Sequence, residues 1–444
     1  MRRSFSQKLS KVTHLILVQS LLMTASTAFS ETLTLQQALS EASHSPQVSK
    51  AEAYRDEIVW KKVEAVSAFL PTITGNINYL SNKKYALTDI NLGGSPASVP
   101  QIVPTTNYTL AARWNVFDGF ASTNRFWAAQ AFEESANLEY DWAKFQTDRQ
   151  VLLAYYKVLA AEQVKLVAEQ NLKALKDHTK DVEALKKAGM STQYDLLRTQ
   201  VQYSEAEAEA VNADDQIANA RNKLAEVLGK DVEDRTPTGN LPVLTADLIS
   251  KKKTTAKKLD LLALQKRSEG LNYSAHAMNR HWIPKVSLFA DYSFYNNRTD
   301  EFDYQDEAFR ESYLIGATLS WELFNGFGSM AKSGQAEAQA LQLEKTTRMA
   351  DLKAKNDLDF WTRKYNYYIS LYKSKTTDIE RSNEAARLAK VGRKAGMRTN
   401  TEVLDAQADV FRSKAAQINA QIGAIEALVN IELATGEAYY SFIQ

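Results

Sequence analysis

The chain has 444 residues with 54 basic and 53 acidic side chains, and its formal net charge of +1 offers no broad positive surface to nucleic acid. The absence of cysteine excludes a disulfide framework, a thiolate metal site and a cysteine nucleophile. Only 16 glycines and 8 prolines are present, which argues against an all-β fold rich in tight turns and favours long helices.

Residues 1–30 predict a secretory signal peptide. A basic start without acids precedes the mostly apolar stretch 12–23, and small residues follow as far as Ser30. The apolar run is about half of the roughly 20 residues that a membrane-spanning helix needs, which disfavours a single transmembrane helix. We therefore expect cleavage after Ser30 and export of the chain.

Two segments after the signal peptide alternate apolar and polar residues, which predicts β-strands with one apolar and one polar face. They cover residues 72–79 and 108–116, and the polar stretch 81–104 between them predicts a loop suited to the cell exterior. We therefore expect a β-hairpin over about 71–117. A half-buried strand of a soluble domain also alternates, so a small soluble β-subdomain packed on the helices is the alternative.

A long helix is expected next, because residues 120–188 contain no glycine or proline and are rich in good helix formers. Some 65 residues of continuous helix would be on the order of 100 Å long, more than an ordinary globular domain spans. Gly189 interrupts the pattern, which resumes over 192–228. A left-handed glycine at the helix end predicts a tight turn and thus a helical hairpin with its tip at 189; a flexible hinge is the alternative.

The segment 230–256 predicts a loop or short-helix linker, because it contains two prolines and a glycine. The same order of elements then recurs. Strand patterns at 286–294 and 313–323 flank the polar stretch 296–310 and predict a hairpin over about 284–324.

The helical part of the second half follows the same plan. A glycine- and proline-free helix is expected over 335–391, and Gly396 precedes a helical sequence at 400–435, so a second tip is expected at 396. Apolar residues at heptad spacing predict coiled-coil packing of both long helices. These residues are Leu152, Leu159 and Leu166 in the first helix and Leu358, Tyr365, Tyr372, Ile379 and Ala386 in the second.

Landmarks at one fixed offset predict a two-fold internal repeat. The segments 117–120 and 324–327 read FDGF and FNGF, and the segments 187–190 and 394–397 both read KAGM. Gly229 and Gly436 share the same offset of 207 residues. The predicted organisation is therefore a first repeat at 31–229, a linker at 230–256 and a second repeat at 257–444.

Four strands of near-membrane length in an exported protein favour a pore. A strand in hydrocarbon cannot leave an edge unpaired, and four strands cannot close a barrel. The smallest membrane barrels have about eight strands, so closure demands at least two copies of the chain, and three copies would give twelve. Apolar faces would contact outer membrane lipid, and the polar faces, with Arg113 and Glu322, are expected to line the pore.

The chain resembles the TolC family of outer membrane efflux and secretion channels over essentially its whole exported length. The matching segments are LTLQQAL at 33–39, Leu-Pro and Ile-Pro before strands at 70–71 and 283–284, the FDGF and FNGF segments, and GMRT at 396–399 followed by VLDA at 403–406. The resemblance implies an α+β membrane protein in which a long α-helical coiled-coil barrel in the periplasm joins a transmembrane β-barrel with four strands per protomer.

The resemblance also implies a homotrimer, a periplasmic adaptor protein and an inner membrane transporter as partners, and passage of drugs or proteins through an efflux or type I secretion system. The helix tips at Gly189 and Gly396 would contact the adaptor. Residue by residue, Arg398 matches a gating arginine and Asp195 its acidic partner. Glu402 and Asp405 match acids around the periplasmic entrance, where six carboxylates in three copies would favour cations and raise one another's pKa values. Charges near a helix turn that are simply solvated are the alternative.

The sequence offers little support for an enzyme. The closest histidines, His276 and His281, are five residues apart and do not share a helical face as in a metalloprotease motif. A phosphate-binding glycine loop and a serine-nucleophile elbow are both lacking, and no cofactor or metal is expected. A periplasmic structural or adhesive coiled-coil protein is the competing function.

Overall fold

The computed structural model describes residues 31–81, 85–102, 106–232, 235–250, 258–280, 282–296 and 309–439. The predicted signal peptide lies outside these residues. The chain divides into two compact units. Within the described ranges, the first unit contains residues 31–50, 142–258 and 354–439, and the second contains residues 51–141 and 259–353.

Helices account for most of the described residues. They are α1 (Leu35–Ala42), α2 (Pro46–Ser67), α3 (Ala121–Lys187), α4 (Gln193–Leu228), α5 (Asp247–Ser250), α6 (Leu259–Met278), α7 (Gly328–Lys394) and α8 (Asn400–Thr435). The strands are β1 (Glu31–Leu33), β2 (Thr72–Tyr79), β3 (Tyr85–Leu92), β4 (Ser95–Ile102), β5 (Thr106–Phe117), β6 (Arg235–Pro237), β7 (Lys285–Asn296) and β8 (Phe309–Ser320). The helices α3 and α7 both have 67 residues, and α4 and α8 both have 36.

The matched segments also share unusual backbone conformations. Gly119 and Gly326 have φ of 71° and 65°, and the phenylalanines that follow them, Phe120 and Phe327, have φ of 66° and 65°. Positive φ is uncommon for a residue with a side chain. In each segment the two phenylalanine rings meet nearly at right angles, at 5.4 and 5.3 Å between centroids. The same strained turn therefore precedes each 67-residue helix.

The first unit contains a hydrophobic core where four long helices pack. Helices α3 and α4 are antiparallel neighbours, joined by ion pairs from Lys165 to Asp214 and from Arg221 to Glu162. Helices α7 and α8 approach so closely that a Cβ on Gly423 would lie 2.6 Å from the Tyr368 ring. The largest fully buried side chains of this core include Tyr155, Tyr365, Leu152, Leu224, Leu228, Ile425, Leu428 and Ile431.

A buried tyrosine ties the short strands of the first unit to this core. Strands β1 and β6 pair in parallel, with Leu33 opposite Pro237. The Tyr155 hydroxyl lies 2.8 Å from the Leu33 carbonyl oxygen and accepts the Thr238 amide at 3.0 Å. The linker that sequence analysis places at 230–256 therefore contains β6 and the short helix α5.

The second unit contains a four-stranded antiparallel sheet in the order β2-β5-β7-β8. The register places apolar residues opposite one another on one face, as in the row Ile73, Ala112, Ala290 and Ile315. A polar row, Asn76, Thr109, Ser293 and Ser312, lies on the other face. Much of the apolar face is open to solvent in the single chain, with Ile73 at 68% and Ile315 at 77% exposure.

Two expectations from the sequence are wrong. The stretch 81–104 contains a second hairpin, β3 paired with β4, because Gly93 and Gly94 supply the positive φ of a tight turn. The strand predicted over 313–323 ends at Ser320 as β8, so Glu322 follows the strand instead of lying within it. Leu166 is 55% exposed in the single chain, whereas Leu152 and Leu159 of the same heptad series are buried.

Candidate functional site

The first helix tip is a tight turn between α3 and α4. Gly189 has φ of 72°, and the Met190 amide donates to the Leu185 carbonyl at 2.8 Å, so the left-handed glycine cap is confirmed. A capping box starts α4: the Asp195 amide donates to the Thr192 hydroxyl at 3.0 Å, and the Thr192 amide donates to the Asp195 carboxylate at 3.2 Å. Asp195 is therefore held in place by its own helix.

The second tip repeats this construction. Gly396 has φ of 73°, and the Met397 amide donates to the Gly392 carbonyl at 2.8 Å. The carboxylate of Glu402 accepts the Thr399 amide at 2.7 Å and the Arg398 guanidinium at 2.6 Å. These contacts lower the pKa of Glu402 to about 2. From the sequence we expect crowded carboxylates to raise this pKa. Within one chain the opposite effect acts, because the Thr399 amide at the start of the helix donates to the carboxylate and stabilises its charged form.

The predicted gate residues are brought to the same end of the first unit but form different pairs. The Asp195 carboxylate faces Arg393, at 4.0 Å, and accepts the Ser191 hydroxyl at 3.2 Å. Arg398 pairs with Glu402, and Asp405 lies 3.8 Å from Arg198. Within one chain, therefore, Asp195 of the first tip contacts Arg393 in the last turn of α7, and not Arg398 of the second tip.

Burial and charge act in opposite directions on Asp195. Burial raises its pKa, but hydrogen bonds from the Thr192 amide and hydroxyl and the Ser191 hydroxyl, together with the Arg393 charge, outweigh this effect. The pKa of Asp195 therefore lies below its ordinary value, and the group is ionised at neutral pH.

A buried polar cluster that was not predicted from the sequence joins the two tips. Asn400 is fully buried; its side-chain amide donates to the Thr199 hydroxyl at 2.9 Å and to the Asp195 carbonyl at 3.2 Å. The Nε2 atom of His178 lies 2.8 Å from the Asn400 Oδ1 atom. The sequence contains one indication that His178 is buried. Leu175, His178 and Val182 lie at positions i, i+3 and i+7, which places the imidazole on the buried face of α3.

The pore-lining candidates fall at different levels of the second unit. The Arg113 guanidinium forms two hydrogen bonds with the Asp291 carboxylate, at 2.6 and 3.0 Å, on the polar face of the sheet. Glu322 lies after β8 and accepts the Asn325 side-chain amide at 3.2 Å. The polar face of the sheet thus carries a pair of opposite charges, Arg113 with Asp291.

The described residues offer surface grooves along the helices as candidate binding features. One groove of about 500 Å³ between α3 and α4 is lined by the ion-paired Glu162, Lys165, Asp214 and Arg221. Among the described residues, no group of histidine and carboxylate side chains is arranged to hold a metal ion. None of the described helices is both long and apolar enough to cross a membrane.

The fold is that of outer membrane channels. The outer-membrane channel OprN matches with a TM-score of 0.75 and 19% identity, covering 91% of this chain and 90% of that one. The outer membrane protein VceC from Vibrio cholerae matches with a TM-score of 0.76 and 16% identity, covering 91% and 97%.

Sequence comparison gives the family. Residues 34–230 and 252–437 match the family model "Outer membrane efflux protein", and the chain belongs to that family. The outer membrane efflux protein BepC of Brucella suis biovar 1 (strain 1330) is 24% identical over 433 residues, covering 95% of this chain and 89% of that protein. The resemblance to the TolC family is therefore confirmed.

Family membership fixes location and general activity. The protein resides in the outer membrane with its long helices in the periplasm, and it is an efflux channel. Among its structural relatives, OprN is an outer-membrane channel.

Proposed function

We propose that the protein is a homotrimeric outer membrane channel and the exit duct of a tripartite efflux or type I secretion system. In this assembly an inner membrane transporter and a periplasmic adaptor deliver substrates to the helical part, and the channel releases them to the cell exterior. The observation that carries the proposal is the four-stranded sheet, whose exposed apolar face and polar face suit lipid and water respectively.

The edges of the sheet supply the argument for a closed assembly. Strands β2 and β8 are the two outer strands of the sheet, and each has a row of backbone groups on its outward side. In hydrocarbon, each unsatisfied backbone group costs several kcal/mol. Pairing β8 of one protomer with β2 of the next satisfies both edges and keeps every neighbouring pair antiparallel. Three copies give the twelve-stranded transmembrane β-barrel, with two structural repeats in each protomer.

The helix tips are proposed as the periplasmic gate and the adaptor contact. Asp195, Arg398, Glu402 and Asp405 form the gate, together with Arg393, which the structure adds as the partner of Asp195. The turns at Gly189 and Gly396 present their adjacent methionines to solvent, with Met190 at 68% and Met397 at 76% exposure. Arg113, with Asp291, and Glu322 are proposed to line the water-filled lumen.

Disulfide cross-linking tests the assembly, because the natural chain has no cysteine to interfere. A cysteine at Ile73 in β2 is combined with one at Ile315 or Leu319 in β8, and outer membranes are oxidised. We expect a ladder of linked chains that ends at three, and ion conductance from the purified protein in planar bilayers. Cysteines at Ile73 and Leu341, an exposed position in α7, serve as the matched control and should give no ladder.

Two results would refute the proposal: a ladder that ends at another number, or a soluble single chain without conductance, as the structural coiled-coil alternative requires.

To separate drug efflux from protein secretion, cysteines at Met190 and Met397 carry a cross-linker. The inner membrane transporter recovered with the adaptor then identifies the system.

A further inference from the structure

Asn400 links three helices at the tips of one protomer, and every polar atom of its side chain is used. Its amide nitrogen donates to the Thr199 hydroxyl and the Asp195 carbonyl, both on α4, while its oxygen faces His178 on α3. Because the amide nitrogen is the donor, the amide oxygen is an acceptor, and this assigns the imidazole proton to Nε2 of His178. The link joins the first-repeat hairpin to the start of α8 in the second repeat.

We propose that the buried His178–Asn400–Thr199 contact is an acid-labile lock between the two helical tips, and that protonation of His178 favours opening of the periplasmic end. This inference rests on the proposed function, because it assumes that the tips close the channel. It assigns a positioning role to Asn400 and a pH-sensing role to His178.

The surroundings of His178 disfavour a second proton. Burial lowers its pKa below the ordinary value of 6.5; the Asn400 hydrogen bond opposes this effect, and the Arg393 charge reinforces it. Asp181 raises the pKa and Lys390 lowers it by smaller amounts. Other charged groups at the tips are paired with one another: Asp195 with Arg393, Glu402 with Arg398, and Asp405 with Arg198.

The direction of the pH effect follows from linkage. Above about pH 7.5 the imidazole is neutral in both the locked and the released tips, so protons do not affect the lock. As the pH falls through 6.5, a released and hydrated His178 binds a proton that the locked form resists, so acid favours release. At pH 5.5 the gain in the released population is at most about tenfold per protomer, since a free imidazole is then about nine-tenths protonated.

Two acids of the helix tips, Glu402 and Asp195, do not change their charge in the pH range of the experiment. Glu402, with a pKa of about 2, and Asp195, with a pKa below its ordinary value, stay ionised between pH 7.5 and 5.5. His178→Gln keeps a side-chain amide that can donate to Asn400 and removes the titrating group. His276→Gln is the matched control, because His276 is exposed on α6 in the other unit.

The experiment measures conductance of the purified full-length channel in planar bilayers at pH 7.5 and 5.5. Acid should increase the conductance of the wild type and of His276→Gln several-fold more than that of His178→Gln. Asn400→Ala should raise conductance at pH 7.5 and respond to acid no more than His178→Gln. Retention of the full wild-type response by His178→Gln, or by Asn400→Ala, overturns the inference. Failure of the wild type to conduct at either pH instead overturns the proposed function.

Discussion

The pairing of Asp195 with Arg393 predicts which gate substitutions depend on each other. The carboxylate and guanidinium are 4.0 Å apart, and their side chains are only 21% and 15% exposed. At that distance two unit charges attract by about 4 kcal/mol at an effective dielectric constant of 20. Desolvation and screening offset most of this attraction, so about 1 kcal/mol, or roughly a fivefold change in the open population per protomer, is the net expectation.

The Arg398–Glu402 pair should contribute less to closure. Both groups are more exposed, at 59% and 40%, and both lie on the same side of the second tip, so their contact does not join α4 to α7. Surface ion pairs of this kind contribute about 0–1 kcal/mol. The substitution Arg398→Gln should therefore combine additively with Asp195→Asn.

A double-mutant cycle measures the difference. The first cycle contains Asp195→Asn and Arg393→Gln, made singly and together. The second cycle contains Asp195→Asn and Arg398→Gln in the same combinations. The open probability of each variant is recorded in planar bilayers at pH 7.5. We expect a coupling free energy of about 1 kcal/mol in the first cycle and below about 0.5 kcal/mol in the second. If the coupling between Asp195 and Arg398 were stronger than that between Asp195 and Arg393, the pairing of Asp195 with Arg393 within one chain would be refuted. Such a result would indicate a latch between protomers.

Two further substitutions test the packing of the first unit. Gly229→Ala should lower folding stability by about 2–4 kcal/mol, because the residue has φ of 69° and its new Cβ would lie 2.1 Å from Pro46 Cδ. Thermal melting of the helices measures this loss. The control is Gly334→Ala, at an open helical position, which should leave the melting temperature unchanged or raise it slightly. Arg149→Met should cost about 3–5 kcal/mol, since it removes the opposite charge, 3.1 Å away, from the fully buried Glu432 carboxylate, which keeps its hydrogen bond from the Tyr439 amide. An unchanged melting temperature would contradict that account.

Much of the fold was readable from the sequence, because the relevant patterns are local. The absence of glycine and proline from long stretches predicted α3 and α7, and Gly189 and Gly396 predicted the turns after them. Alternation predicted all four strands of the sheet, although the ends of β8 and the intervening β3–β4 hairpin were missed. Strand ends and short glycine turns depend on few residues, so their sequence signal is weak.

The candidate site was predicted by position but not by partner. Asp195, Arg398, Glu402 and Asp405 do lie at the helix tips, as the landmarks around Gly189 and Gly396 required. Their ion pairs, the Asn400 link and the Arg113–Asp291 pair depend on the rotation and register of elements that are distant in sequence. The helix turns and the apolar strand faces follow from the order of the residues alone, since 3.6- and 2-residue periods are properties of one segment. Which charges meet depends on how the elements pack, because a shift of one residue between packed elements exchanges every partner.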